Sequence, residues 1–60
     1  MSAVYNPQAD LRAEIERLEL DCRDLRRRLA AADAPADRTV LTEQLTDLEE
    51  QIARLQARLD

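Results

Sequence analysis

Apolar residues recur along both halves of the chain with alternating spacings of four and three residues. On an α-helix this spacing places them along one narrow face, which is typical of a coiled coil. Each half carries six such positions, and the twelve together are called the seam. The seam consists of Leu11, Ile15, Leu18, Cys22, Leu25 and Leu29 in the first half, and of Leu41, Leu45, Leu48, Ile52, Leu55 and Leu59 in the second.

The two halves of the seam match each other when the chain is folded back about Pro35. Each residue of the first half pairs with the residue of the second whose number brings the sum to 70, from Leu29 with Leu41 to Leu11 with Leu59. One continuous helix is disfavoured, because the 12 residues from Leu29 to Leu41 break the heptad phase. The sequence therefore predicts an all-α fold, an antiparallel helical hairpin that forms a two-helix coiled coil.

Local signals predict where the helices begin and end. Asn6 can cap free backbone N–H groups, and Pro7 suits the first helical position. Pro35 stops a continuing helix because it lacks an amide hydrogen and restricts the residue before it. We expect a flexible leader at 1–6 and a single hairpin at 7–60, with a helix at 7–31, a turn at 32–35 and a helix at 36–59.

The distribution of charge favours the same topology. Each half is acidic early and basic late, so an antiparallel arrangement brings opposite charges together. In this arrangement Glu14 can face Arg58, whereas Glu19 and Glu49 are like charges at facing positions. Exposed pairs of this kind contribute at most ~1 kcal/mol each, so they support the topology and stabilise it little.

Composition excludes several classes of function. The chain has 60 residues, with no His and no Gly. It therefore lacks the usual general base, the imidazole metal ligand and the phosphate-binding glycine loop. We expect no enzyme activity, no catalytic or metal-binding residues, no cofactor and no small-molecule substrate.

Charge and hydropathy bear on partners and location. The 13 acidic residues outnumber 9 basic ones for a net charge of −4, which is not typical of nucleic-acid binders. No apolar run approaches the ~20 residues needed to span a bilayer, and the N-terminus lacks the pattern of a secretion signal. All the bases are Arg, a usage found in GC-rich bacterial genomes. We expect a bacterial cytoplasmic protein without a membrane partner.

A hairpin of two helices leaves one side of each seam residue in water, which predicts a partner. A second hairpin laid over the open seam would complete a four-helix bundle, so we expect a homodimer. Completion by a different protein and a stable monomer are the alternatives. In length and layout the chain resembles the Rop family of plasmid RNA-binding regulators, and equally the helical-hairpin co-chaperones of type III secretion needle proteins. No motif is shared, so no residue roles carry over.

Several residues outside the apolar pattern, and one within it, have two interpretations. Cys22 is either a small buried packing residue or a dimer disulfide or redox switch. Leu20 lies on the outer face, as a lone exposed leucine or as a partner anchor together with Val4 and Tyr5. The arginine collar is either a solvated helix end, with Asp24 paired to Arg28, or a nucleic-acid patch. The collar consists of Arg23, Arg26, Arg27 and Arg28.

These observations favour a small protein–protein interaction module. We expect a self-associating hairpin that acts as an adaptor, an assembly co-chaperone or a regulator. The alternative is a Rop-like RNA- or DNA-binding regulator that uses the arginine collar.

Overall fold

The computed structural model describes residues 6–59 as two helices packed into a hairpin. Helix α1 spans Pro7–Ala31 and helix α2 spans Pro35–Leu59, so the predicted all-helical hairpin is confirmed. Residues 1–5 and 60 lie outside the described part. The predicted leader at 1–6 therefore falls outside it, except for Asn6. The molecule measures 55 × 20 × 12 Å along its principal axes. Its thickness is that of a single helix, so both sides of the seam are open to contact.

Helix α1 begins with a side-chain cap. The Asn6 side-chain oxygen Oδ1 accepts hydrogen bonds from the backbone N–H groups of Gln8 and Ala9, both at 3.1 Å. Asn6 itself is extended, with φ −121° and ψ 93°, and Pro7 occupies the first helical position. The cap satisfies two of the backbone donors that the first turn leaves without helical acceptors.

The turn between the helices is short. Ala32 is extended, and its N–H group donates to the carbonyl oxygen of Leu29 at 3.2 Å. Helix α2 begins at Pro35, one residue before the expected start at 36. The expectation assigned Pro35 to the turn, but its restricted φ suits the first position of a helix, where the missing N–H has no partner to lose.

Arg38 ties the start of α2 to the end of α1. Its guanidinium Nη1 donates to the carbonyl oxygens of Leu29 at 3.0 Å and of Ala32 at 3.2 Å. These carbonyls belong to the end of a helix, where acceptors lack helical donors and positive charge is favourable.

The seam forms the interface between the helices. Among residues 6–59, only the twelve seam residues and Ala32 are buried or half-buried. Three of them are buried, all on α1: Ile15 is 6% exposed, Leu18 7% and Cys22 1%. The remaining nine seam residues are half-buried, and they include all six on α2. The hairpin therefore has a small core and a long apolar stripe that stays partly in water.

Candidate interaction surfaces

The seam has two long sides, and an ion pair spans one of them. Arg26 directly follows the seam residue Leu25, and Glu49 directly follows Leu48. The Arg26 Nη2 atom donates to Glu49 Oε2 at 3.0 Å, and this pair joins α1 to α2. We call this side the bridged face. The two side chains are 58% and 51% exposed, so the pair contributes at most ~1 kcal/mol.

The opposite side of the seam carries two open grooves between the helices. The residues that directly precede Leu25 and Leu48 lie here, and we call this side the grooved face. The central groove has a volume of about 360 Å³ and is lined by Asp21, Asp24, Leu25, Gln44, Asp47 and Leu48. The groove nearer the turn has a volume of about 350 Å³ and is lined by Arg28, Ala32, Asp37, Val40, Leu41 and Gln44.

The two grooves form one continuous surface because Gln44 lines both of them. Their floor is apolar, since each includes a seam leucine of α2. Val40 adds an apolar side chain that is 53% exposed. Val40 is not among the residues that the apolar pattern predicts, because it lies outside the four-and-three spacing. Its position directly before Leu41 is the signal that could have placed it beside the seam.

Leu20 stands apart from these grooves. It is 58% exposed and lies in a hollow of about 200 Å³ lined by Glu16, Glu19, Leu20 and Arg23, all on α1. Val4 and Tyr5, the other members of the candidate partner surface, lie outside the described residues. Within the described part, this outer surface consists of Leu20 with charged side chains around it.

The arginine collar is divided by its contacts. Arg26 pairs with Glu49 on the bridged face, and Arg28 pairs with Asp24 at 3.0 Å while lining the grooved face. Arg23 and Arg27 belong to none of the ion pairs formed between residues 6 and 59. Half of the positive charge of the collar is thus compensated by nearby carboxylates.

The flanking contacts differ from the simplest charge pairing of the sequence. Glu14 pairs with Arg17 on its own helix at 3.9 Å, where the sequence suggested a contact with Arg58. Glu49 was expected opposite the like charge of Glu19, and it reaches Arg26 instead. Long side chains can reach several partners on either helix, and backbone register alone does not specify which one they choose.

Cys22 lies beneath the bridged face as a free, buried thiol. Burial raises the pKa of this thiol above its ordinary value; Arg26 lowers that pKa, whereas Glu49, Asp21 and Glu19 raise it further. A protonated thiol is a poor nucleophile and a poor metal ligand. These properties support the interpretation of Cys22 as a packing residue.

From Asn6 to Leu59, no three His, Cys, Asp or Glu side chains are grouped so that they could hold a metal ion. Neither helix within these bounds is apolar enough over a sufficient length to cross a membrane. Comparison of the chain with known protein families, with curated proteins and with solved structures finds no match.

Proposed function

We propose that this chain is a small protein–protein interaction module, a helical hairpin that self-associates into a four-helix bundle. It acts by binding, as an adaptor, an assembly co-chaperone or a regulator in the bacterial cytoplasm. The observation that carries the proposal is the single helical layer, 12 Å thick, with only three buried residues among those described. A chain of this thickness gains its missing apolar contacts by packing against another surface.

The partly exposed seam supports self-association. Burying apolar surface contributes about 25 cal/mol for each Å² removed from water, and the nine half-buried seam residues offer such surface along the length of the hairpin. A second copy carries the same stripe with the same layer spacing. Two identical stripes of equal length are self-complementary, as a two-fold symmetric interface requires.

Binding is favoured over catalysis because the grooves are open furrows between two helices. The buried thiol of Cys22 is kept protonated by its surroundings. The free thiol also fits action in a reducing compartment. We therefore propose that the protein has no enzymatic activity and that its partners are proteins.

The alternative function, nucleic-acid binding through the arginine collar, receives less support. Arg26 and Arg28 are each paired with a carboxylate at 3.0 Å, so fewer guanidinium groups are free for phosphates. This alternative predicts binding that weakens steeply with salt and is lost on Arg27→Glu with Arg28→Glu. Titration of labelled host RNA and DNA fragments at two salt concentrations tests it.

Sedimentation equilibrium tests self-association. We expect the purified chain to show about twice its 6.9 kDa mass at micromolar concentration, and to approach 6.9 kDa on dilution. Helicity should fall along with the mass, because the lone hairpin has a small core. A chain that stays at 6.9 kDa and fully helical throughout this range would contradict the proposal.

A second experiment tests the outer surface at Leu20. Leu20→Glu should leave mass and helicity unchanged while it abolishes capture of a protein partner from host lysate treated with nuclease. Ala13→Glu is the matched control, because it adds the same charge at an exposed position two turns earlier on the same helix face. Unchanged capture by Leu20→Glu would remove this residue from the binding surface. Capture that occurs only in lysate not treated with nuclease would favour the alternative function.

A further inference from the structure

The charges on the grooved face change sign along the hairpin. The central groove is flanked by three carboxylates, those of Asp21, Asp24 and Asp47. We call Asp24 with Asp47 the acidic step; Asp21 lies at the middle of the hairpin and belongs to neither step. Arg17 lies seven residues from Asp24 on α1, and Arg54 lies seven residues from Asp47 on α2. Both arginines are further from the turn than the aspartates. Seven residues make two helical turns to within ~20°, so each arginine occupies the same side of its helix as the aspartate. Arg17 and Arg54 form the basic step.

Contacts within the chain leave both steps with net charge. Asp24 pairs with Arg28, and Arg17 pairs with Glu14 at the longer distance of 3.9 Å. Asp21, Asp47 and Arg54 belong to none of the ion pairs within the described part. The face therefore presents unpaired carboxylates near the middle and an unpaired guanidinium two turns further from the turn.

The centre of this charge pattern coincides with the centre of the apolar seam. The midpoint between the acidic and basic steps lies between residues 20 and 21 on α1 and between residues 50 and 51 on α2. The seam runs from 11 to 29 and from 41 to 59, so its midpoints are residues 20 and 50. A two-fold axis at this level, perpendicular to the helices and parallel to the grooved face, would stack the whole of one seam on the other. The same axis would set each acidic step against the basic step of the other copy.

We propose that two copies of the hairpin dimerise through their grooved faces, with their turns at opposite ends of the bundle. The proposal rests on the self-association proposed above, and it adds the face and the direction of packing. Charge complementarity selects this direction, because two copies with their turns at the same end would place acidic step against acidic step. Like charges brought together in an interface cost several kcal/mol.

The exposed Val40 fits the same arrangement. Val40 lies ten residues from the seam midpoint on the turn side, and the outermost layer, Leu11 with Leu59, lies nine residues from it on the other side. In the opposed dimer, Val40 of one copy therefore reaches the Leu11–Leu59 end of the other copy. This contact would cover two apolar regions that each hairpin leaves partly in water.

Charge inversion on the whole chain tests the proposal. The acidic variant carries Arg17→Glu with Arg54→Glu, and the basic variant carries Asp24→Arg with Asp47→Arg. Each alone places like charges across the interface twice, so its dimer Kd should rise about tenfold or more in low salt. An equimolar mixture of the two should form a heterodimer with wild-type affinity, because every cross-copy contact is then between opposite charges.

Matched controls separate the face from net charge. Arg12→Glu with Arg23→Glu makes the same charge change as the acidic variant, away from the grooved face. Glu16→Arg with Glu43→Arg does the same for the basic variant. Both controls should keep the wild-type dimer Kd, measured by sedimentation equilibrium alongside helicity by circular dichroism.

The outcomes distinguish this inference from the proposed function. A wild-type chain that is monomeric overturns self-association itself. A wild-type dimer whose inverted variants dimerise equally well overturns the grooved face as the interface, and self-association stands. If each inverted variant fails to dimerise by itself and the mixture of the two also fails, the arrangement with turns at opposite ends is overturned. Recovery on mixing, with both controls unchanged, supports face and direction together.

Discussion

The bridged face and the grooved face lie on opposite sides of the same seam, and they differ in the signs of the charges that flank it. On the bridged face, Arg26 and Glu49 have opposite signs and meet across the helices at 3.0 Å. On the grooved face, Asp21 and Asp47 have the same sign and line an open groove. Flanking charge thus helps to decide which side of a two-helix seam is bridged within one chain.

The same comparison separates internal from external roles of charge. Charged groups that already form an ion pair within the hairpin contribute little to binding a partner. Carboxylates left unpaired on the grooved face, with Arg54 two turns away, can be satisfied by another molecule. Changes on the bridged face should therefore affect the stability of the hairpin, and changes on the grooved face should affect association.

Placing a charge in the seam should have the largest effect, because the seam underlies both faces. Ile52→Asp puts a carboxylate into a central layer and should cost at least ~3 kcal/mol, enough to abolish the cooperative unfolding transition seen by circular dichroism. Ala53→Asp, at the exposed neighbouring position, is the control and should keep most of the helicity. A fully helical Ile52→Asp chain of unchanged mass would show that the seam register is wrong.

Alkaline pH should weaken the hairpin through Cys22, beneath the bridged face. The unfolded chain releases the thiol proton more readily, because burial raises the pKa of Cys22 in the folded state. The stabilising contribution is therefore intact below the ordinary thiol pKa of about 8.5 and is lost as pH rises through the folded value. The chain has no Lys or His, so few other side chains titrate in this range.

The measurement for Cys22 is the melting temperature between pH 7 and 10. We expect a decline that begins near pH 8.5 in the wild type and a shallower decline in Cys22→Ala. The control is Leu20→Ala, which shortens an exposed side chain and keeps the thiol. Equal slopes in wild type and Cys22→Ala would contradict a contribution from the buried thiol.

The smallest expected effect is that of the ion pair on the bridged face. A double-mutant cycle of Arg26→Gln and Glu49→Gln should give a coupling energy of about 0.5 kcal/mol, falling in high salt. The double variant should retain the wild-type dimer Kd, in contrast to variants of the acidic and basic steps. A large loss of dimerisation would assign the bridged face to the interface and remove the distinction between the two faces.

The hairpin was predictable from sequence because it depends on periodicity and on two prolines. The alternating spacing of leucines specifies the helix faces, and Asn6 with Pro7 specifies the first helix start. The start of α2 differed by one residue, because Pro35 can serve either a turn or a first helical position. Arg38 gave no signal, since its acceptors on Leu29 and Ala32 become neighbours only after the chain reverses.

Side-chain pairing was only partly predictable: the four-residue spacing gave the pair of Asp24 with Arg28, and other pairs could not be read from the sequence. Arg26 pairs with Glu49, and Glu14 pairs with Arg17. Heptad positions do not specify these pairs, because each long side chain can reach more than one partner. Val40 was missed for a related reason: its apolar character matters only because it borders a groove that both helices form. The candidate surface at Leu20 stays a prediction, and the structure adds its exposure and its charged surroundings.

The sequence by itself determined the two helices and their antiparallel hairpin, because local propensity, the helical period and Pro35 act through residues close in the chain. Only the tertiary structure decided which side of the seam is bridged and which is grooved. That decision depends on distances between side chains from two helices. The hydrogen bonds from Arg38 to the carbonyl oxygens of Leu29 and Ala32 arise in the same way, since they join atoms that meet only when the helices pack.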